Sequence, residues 1–459
     1  MLTTISPITN QPLIDTPEAT IETAKAAIDA AATAQVSWVK LSLGERKQKV
    51  AKLLDVLEAD ADSLGKQITE QMGRPIQYTP GEVKTAAMRG RVMLGYADEA
   101  LARRDVDLDA RPAITKYLTK EPIGVALIIF PWNYPYLCLV NGLVPALLAG
   151  NTVIIKPSPQ TPQVAEAVVS AAAKAGIPNA VISAIHTGDN KLVEQIIQNR
   201  SIGAVAFTGS VAGGLAVQKA AAGRTIPVAL ELGGNDAAYV RADADIDATA
   251  ENVVDGALFN SGQSCCSIER VYVDEKIYDK FVDAAVKVVK GYKVGDPLSG
   301  KVQLGPMVSA ASAARVSKDV EEAIKSGAKA HITPGLDLGP TYLYPQVLTD
   351  LSPQDRVLKT ETFGPVLPIV KVSGDEEAIK LMNDDDFGLT ASVWTSDCTR
   401  GDEIASQIEA GTVFVNRSDY PDPHLAWTGY KLSGRGVSLS PFGFDFWVKV
   451  KSHHVKTAA

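Results

Sequence analysis

Four short segments carry residue types able to do chemistry. In Phe259-Asn260-Ser261-Gly262-Gln263-Ser264-Cys265-Cys266 a cysteine follows a helical stretch and a Gly-containing turn, with Arg270 just beyond. A thiolate is a strong nucleophile, and backbone amides at a turn lower its pKa. A small buried thiol is the ordinary alternative for a lone cysteine. In Leu230-Glu231-Leu232-Gly233-Gly234-Asn235 a glutamate ends an apolar strand ahead of two glycines. A carboxylate in an apolar setting has a raised pKa and serves as a general base. A solvated strand end or a structural salt bridge is the plainer reading. In Ile129-Phe130-Pro131-Trp132-Asn133-Tyr134-Pro135 a strand runs into a Pro-rich turn that presents Asn133 at the mouth of a helix. Its amide suits a developing oxyanion, or it caps the helix. In Phe207-Thr208-Gly209-Ser210-Val211-Ala212-Gly213-Gly214 a strand, a glycine turn and a helix follow in order. Such a turn lets backbone approach a phosphate at a helix start, although it is not the GxGxxG fingerprint. A tight turn without a ligand has the same pattern.

These segments need elements to hold them. From about residue 122 to 232 short apolar runs alternate with helical patterns. The runs are Val125–Phe130, Thr152–Lys156, Val181–His186, Ala204–Thr208 and Val228–Leu232. The helical patterns lie near 133–149, 161–175, 189–199 and 213–222. This alternation predicts a parallel α/β sheet, with ligands outside the carboxyl ends of its strands. A second α/β block runs from about 233 to 430, with strands at Arg270–Val273, Ala391–Thr395 and Thr412–Asn416 and helices near 246–258 and 275–291. Two amphipathic helices are expected over 17–38 and 44–72. Thr16 caps the first, Pro17 opens it, and Gly73 stops the second. Ala113–Thr119 and Phe446–His454 alternate like strands outside the main sheets.

Composition narrows the classes. The chain has 459 residues, enough for about three domains. With 46% hydrophobic and 21% charged residues it reads as globular, not disordered. A formal charge of −8 argues against nucleic acid as a partner. The cysteines, Cys138, Cys265, Cys266 and Cys398, make neither a disulfide framework nor a zinc pattern, so a reducing compartment is expected. No metal site is expected, and His453–His454 reads as a solvated tail pair. Residues 1–20 show no secretory pattern, and Leu137–Gly150 is too interrupted to span a membrane.

Taken together, the four segments resemble the aldehyde dehydrogenase superfamily, over nearly the whole chain. The asparagine motif matches at Trp132–Asn133, the lysine strand at Thr152–Lys156 and the glycine turn at Gly209–Ser210. The glutamate motif matches at Glu231–Gly234, the cysteine motif at Gly262–Cys265 with Arg270, and a late glutamate motif at Glu361-Thr362-Phe363-Gly364-Pro365. Six motifs in order are a specific signal. The resemblance implies an α/β fold with a Rossmann-like cofactor domain, a second α/β catalytic domain and a small β oligomerisation element. These map to 1–100 with 121–232, to 233–432, and to 101–120 with 433–459. It implies oxidation of an aldehyde to a carboxylic acid with NAD or NADP, through a thiohemiacetal and a thioester on Cys265. Asn133 and the Cys265 backbone N–H would hold the oxyanion, and Glu231 would activate water. Lys156 would reach the adenosine ribose, Ser210 the pyrophosphate and Glu361 the nicotinamide ribose. Trp132, Ser158, Pro159, Gly209, Gly214, Leu232 and Phe363 complete the implied cofactor site. Tyr134, Asn141 and Trp427, with Cys138 and Tyr420, border the implied aldehyde tunnel. A cytoplasmic homodimer or homotetramer without membrane association is expected.

Two departures matter. Pro159 stands where the family often carries a glutamate that bonds the ribose hydroxyls and repels a 2′-phosphate, so NADP is expected to be accepted as well as NAD. Position 266 is a second cysteine, read as a spectator and not as an oxidation partner of Cys265. No paired arginine for a substrate carboxylate is evident. Two alternatives remain: a CoA-acylating enzyme, which generally lacks the glutamate base, and a catalytically silent structural relative.

Overall fold

Short β-rich runs between helices leave a chain no choice but to bury both faces of its strands. In the computed structural model, which describes residues 1–106, 114–418 and 420–456, they build a six-stranded sheet. Its order is Gly434–Arg435, Val228–Glu231, Ile202–Thr208, Val125–Ile129, Thr152–Lys156, Ile182–Ala184. All neighbours are parallel except Gly434–Arg435, which runs antiparallel to Val228–Glu231. The chain steps outward from Val125–Ile129 through two strands and then restarts on its other side at Ile202–Thr208. The strand order therefore reverses between Ile129 and Thr208, the place where open α/β sheets hold ligands.

A seven-stranded sheet follows, in the order Lys329–Ala330, Gln346–Thr349, Val366–Val372, Ile268–Asp274, Asp236–Val240, Thr390–Trp394, Thr412–Val415. It is parallel apart from Lys329–Ala330. A third sheet pairs Val448–Lys456 with Ile114–Pro122, and Ile114–Pro122 with Arg104–Asp105. The fold is the α/β architecture expected.

Several boundaries differ from the sequence reading. The first helix is Ile21–Trp38, and Thr20 caps it in a reciprocal pair with Thr23. Thr16 instead ends the strand Pro12–Thr16, which pairs with Leu2–Ile5, so Pro17 does not open the helix. The stretch 44–72 is two helices, Leu43–Ala59 and Ala61–Met72, because Asp60 leaves helical geometry at φ −91°, ψ 9°. Gly73 stops the second in the left-handed region, φ 91°. Of the expected strand Ala113–Thr119, Ala113 lies outside the described residues, and the strand runs Ile114–Pro122. The last strand starts at Val448 and not at Phe446, since Pro441–Trp447 forms a 3-10 turn anchored by buried Phe444 and Trp447. His453 is no free tail residue: its ring stacks on Tyr117 with centroids 4.3 Å apart. The helix Thr79–Ala100 had no counterpart in the sequence reading.

Candidate active site

Cys265 sits just before the strand Ile268–Asp274, at the amino end of the second sheet. The turn that presents it is unusual. Asn260 and Ser261 are both left-handed (φ 57° and 56°), and Gly262 follows at φ 70°. Such residues persist only where the surroundings over-determine them. Asn260 accepts from Arg74 Nε (3.1 Å) and donates to the Gln263 carbonyl (3.0 Å). Gln263 donates back to the Asn260 carbonyl (3.1 Å) and accepts from Val308 N–H (2.8 Å). Ser261 donates to the Gly305 carbonyl (2.9 Å). Gly262 is required twice, by its φ and because a Cβ there would collide with the Gly364 carbonyl. Cys266 is buried, with the Ser264 hydroxyl 3.5 Å from its sulfur.

Glu231 arrives from the opposite side, as the last residue of Val228–Glu231 in the first sheet. Glu231 and Cys265 line one cavity of about 180 Å³. Burial pushes the Glu231 carboxyl above the usual range. Hydroxyl donors pull it partly back: Ser438 at 2.5 Å and Thr208 at 3.3 Å.

Asn133 is buried but is not among the residues lining that cavity. Its amide donates to the Gln263 carbonyl (3.3 Å), two residues before Cys265, and its Oδ1 has no hydrogen-bond partner. It does not cap the next helix, Pro135–Leu148, whose cap position is Tyr134. Arg74 ties this segment to the cysteine turn. Its guanidinium bonds the Asn133 carbonyl, Asn260 and Glu82, and lies over the Tyr134 ring. Glu82 in turn accepts from Tyr136 N–H (2.9 Å).

The residues expected around a dinucleotide fall at the carboxyl ends of the first sheet. Lys156 ends its strand, partly buried, and burial lowers its pKa to about 8. No hydrogen bond or ion pair among the described residues engages its ammonium, which leaves it for a ligand's hydroxyls. Ser158 accepts from Gln160 N–H (3.3 Å), and the carbonyl of exposed Pro159 accepts from the Thr4 hydroxyl (2.9 Å). Gly209 precedes Ser210, which caps the helix Val211–Ala221 by accepting from Gly213 N–H (3.2 Å). The first N–H groups of that helix stay available for an anion. Leu232 packs on Gly214, where a Cβ would stand 2.5 Å from its Cδ2. Trp132 and Phe363 meet edge to face at 5.8 Å. Glu361 accepts from Gly234 N–H (3.1 Å). Burial raises its carboxyl and that of neighbouring Glu269, which accepts from Thr362 and Phe363 N–H groups. These groups fit a nucleotide: an unengaged ammonium, a capped helix start and two aromatic faces.

Tyr134, Asn141, Trp427 and Cys138 line the cavity with Leu137, Phe259 and Leu389. Tyr420 does not; its ring stacks on Arg417. The cavity also holds Arg89, which sequence reasoning missed, as it missed Arg74 and Glu82. The available signal was spacing. Glu82 and Arg89 are seven apart, two turns of one helix, on the face of Val83, Ala86, Gly90 and Met93.

Comparison with known proteins finds similar chains. The aldehyde dehydrogenase family model matches residues 1–453. An aldehyde dehydrogenase of Paenarthrobacter nicotinovorans is 35% identical, over 98% of this chain and 99% of its own length. The structure of a succinic semialdehyde dehydrogenase from Streptococcus pyogenes, in complex with NADP+, superposes with a TM-score of 0.94 at 29% identity, covering 99% of this chain and 100% of that one. An NAD-dependent aldehyde dehydrogenase from Sinorhizobium meliloti gives 0.95 at 31%, covering 100% and 92%.

Proposed function

Since the chain belongs to the aldehyde dehydrogenase family and is an NAD(P)-dependent enzyme of that kind, we propose that it oxidises aldehydes to carboxylic acids by covalent catalysis on Cys265. The observation that carries this is one cavity lined by both Cys265 and Glu231. Cys265 Sγ attacks the aldehyde carbon. An asparagine amide has two N–H donors, and Asn133 has one engaged on Gln263. The second, with the Cys265 backbone N–H, holds the oxyanion. The bound oxidised nicotinamide supplies the hydride acceptor. Glu231 takes a proton from the water that hydrolyses the resulting thioester, and the thiol is released with the acid. Covalent attachment splits one hard oxidation into two easier steps.

Lys156, Ser158, Ser210, Leu232, Glu361 and the Trp132–Phe363 pair hold the cofactor in this reading. The Pro159 side chain supplies neither an acceptor for the ribose hydroxyls nor a charge against a 2′-phosphate. Losing a charged hydrogen bond costs about 1.5–3 kcal/mol, so NADP is accepted beside NAD. Among the described residues, 1–100 with 121–232 are assigned to the cofactor domain, 233–432 to the catalytic domain and 101–120 with 433–459 to the bridging element, except that Gly434–Arg435 pairs into the cofactor-domain sheet. A cytoplasmic setting suits four free cysteines. Among the described residues no helix is long and apolar enough to cross a membrane.

Reduced-cofactor absorbance over an aldehyde panel, with and without CoA, tests the reading. Turnover without CoA is expected with both cofactors. Cys265→Ala removes it and Cys266→Ala keeps most of it. A CoA requirement, or comparable turnover by the Cys265 variant, overturns the reading.

A further inference from the structure

Two charged side chains reach the wall of the Cys265 cavity, Glu231 and Arg89. Glu231 has its own donors, Ser438 and Thr208. Arg89 is only 4% exposed and takes part in no ion pair among the described residues. Its Nη1 donates to Asn141 Oδ1 (3.0 Å) and its Nη2 to the Pro421 carbonyl (3.2 Å). Its Nε is buried without an acceptor. A guanidinium carries five N–H donors, and these two neutral acceptors leave most of them idle. Burying a cation is costly, and the acidic groups that act on Arg89, Glu231 among them, form no ion pair with it, which leaves room for a closer anion. Asn141 and Pro421 pin the group in a cavity whose apolar walls include Leu137, Leu232, Leu389 and Trp427. An apolar sleeve between a thiol at one place and a fixed cation at another selects a bifunctional molecule.

We propose that Arg89 binds a carboxylate carried by the aldehyde substrate, so that the preferred substrates are oxo acids with an apolar spacer between aldehyde and carboxylate. This rests on the proposed aldehyde oxidation at Cys265. Arg89 contributes binding and touches no reacting atom, so its loss falls on KM more than on kcat. A guanidinium suits a carboxylate better than an ammonium does, because it offers paired donors in a plane.

The test compares succinic semialdehyde with its methyl ester, which keeps the spacer and removes the charge. The wild-type enzyme is expected to favour the acid in kcat/KM. In Arg89→Gln the acid-to-ester ratio of kcat/KM falls by about tenfold or more, mainly through the KM of the acid. Arg89→Lys gives an intermediate ratio. Asn141→Asp, nearly isosteric, places a competing carboxylate on Arg89 and lowers the same ratio without touching Arg89 itself. Equal losses for acid and ester in all three variants, or a wild-type enzyme indifferent to the charge, overturn the proposal while leaving aldehyde oxidation standing. Failure to oxidise either compound or any other aldehyde overturns the underlying reading instead.

Discussion

Glu231 owes its proposed role to its surroundings and not to its residue type. Burial favours its neutral acid, and the Ser438 and Thr208 hydroxyls favour its carboxylate. Its proton affinity in the folded protein is therefore raised overall, so base function is present at higher pH and lost as pH falls through that raised value. Removing a hydroxyl donor strengthens the shift. Ser438→Ala is expected to move the acid limb of the kcat profile to higher pH and to cut kcat several-fold on the acidic side, with little change on the alkaline plateau. A pH–rate series on both enzymes measures this, and coincident limbs would count against Glu231 as the base. At this scale the sequence was informative. Neither Cys265 nor Glu231 stood out alone; the ordered set of six motifs resembling the aldehyde dehydrogenase family singled them out, and both line one cavity. Tyr420 lies beyond the cavity lining, with its ring against Arg417.

At the scale of elements, legibility followed the clarity of the hydrophobic period. Val125–Ile129 and Thr152–Lys156 are nearly continuous apolar runs, and they are neighbouring interior strands of the first sheet. Thr79–Ala100 was illegible because much of its buried face is alanine and glycine, which carry little period, and because it buries Glu82 and Arg89. Those two polar residues reach the active site only through tertiary packing. The edge strand Val448–Lys456 makes a further expectation. One side pairs with Ile114–Pro122 over nine residues, while no other described strand covers its other side. Val450 and Val455 are exposed on it. A bare strand of this length invites pairing with another chain. The protein is expected to be a dimer or tetramer. Light scattering at micromolar concentration reads the mass, and a monomer would remove this strand's proposed role.

For the whole molecule, the arrangement of two sheets sets the chemistry. The first sheet delivers Glu231 from a carboxyl end, and the second delivers Cys265 before an amino end. Arg74 spans the gap, bonding the Asn133 carbonyl on one side and Asn260 on the other. The proposed division of labour rests on this arrangement: the thiol forms the covalent bond, and the carboxylate breaks it with water. Separating the two steps tests that claim most directly. Glu231→Gln enzyme is mixed with a reactive aldehyde and oxidised cofactor, quenched in acid, digested and weighed. The account predicts a pre-steady-state burst of reduced cofactor, and an acyl group on Cys265 and not on Cys266 or Cys138. A burst that leaves Cys265 unmodified, or undiminished steady-state turnover by this variant, would contradict it.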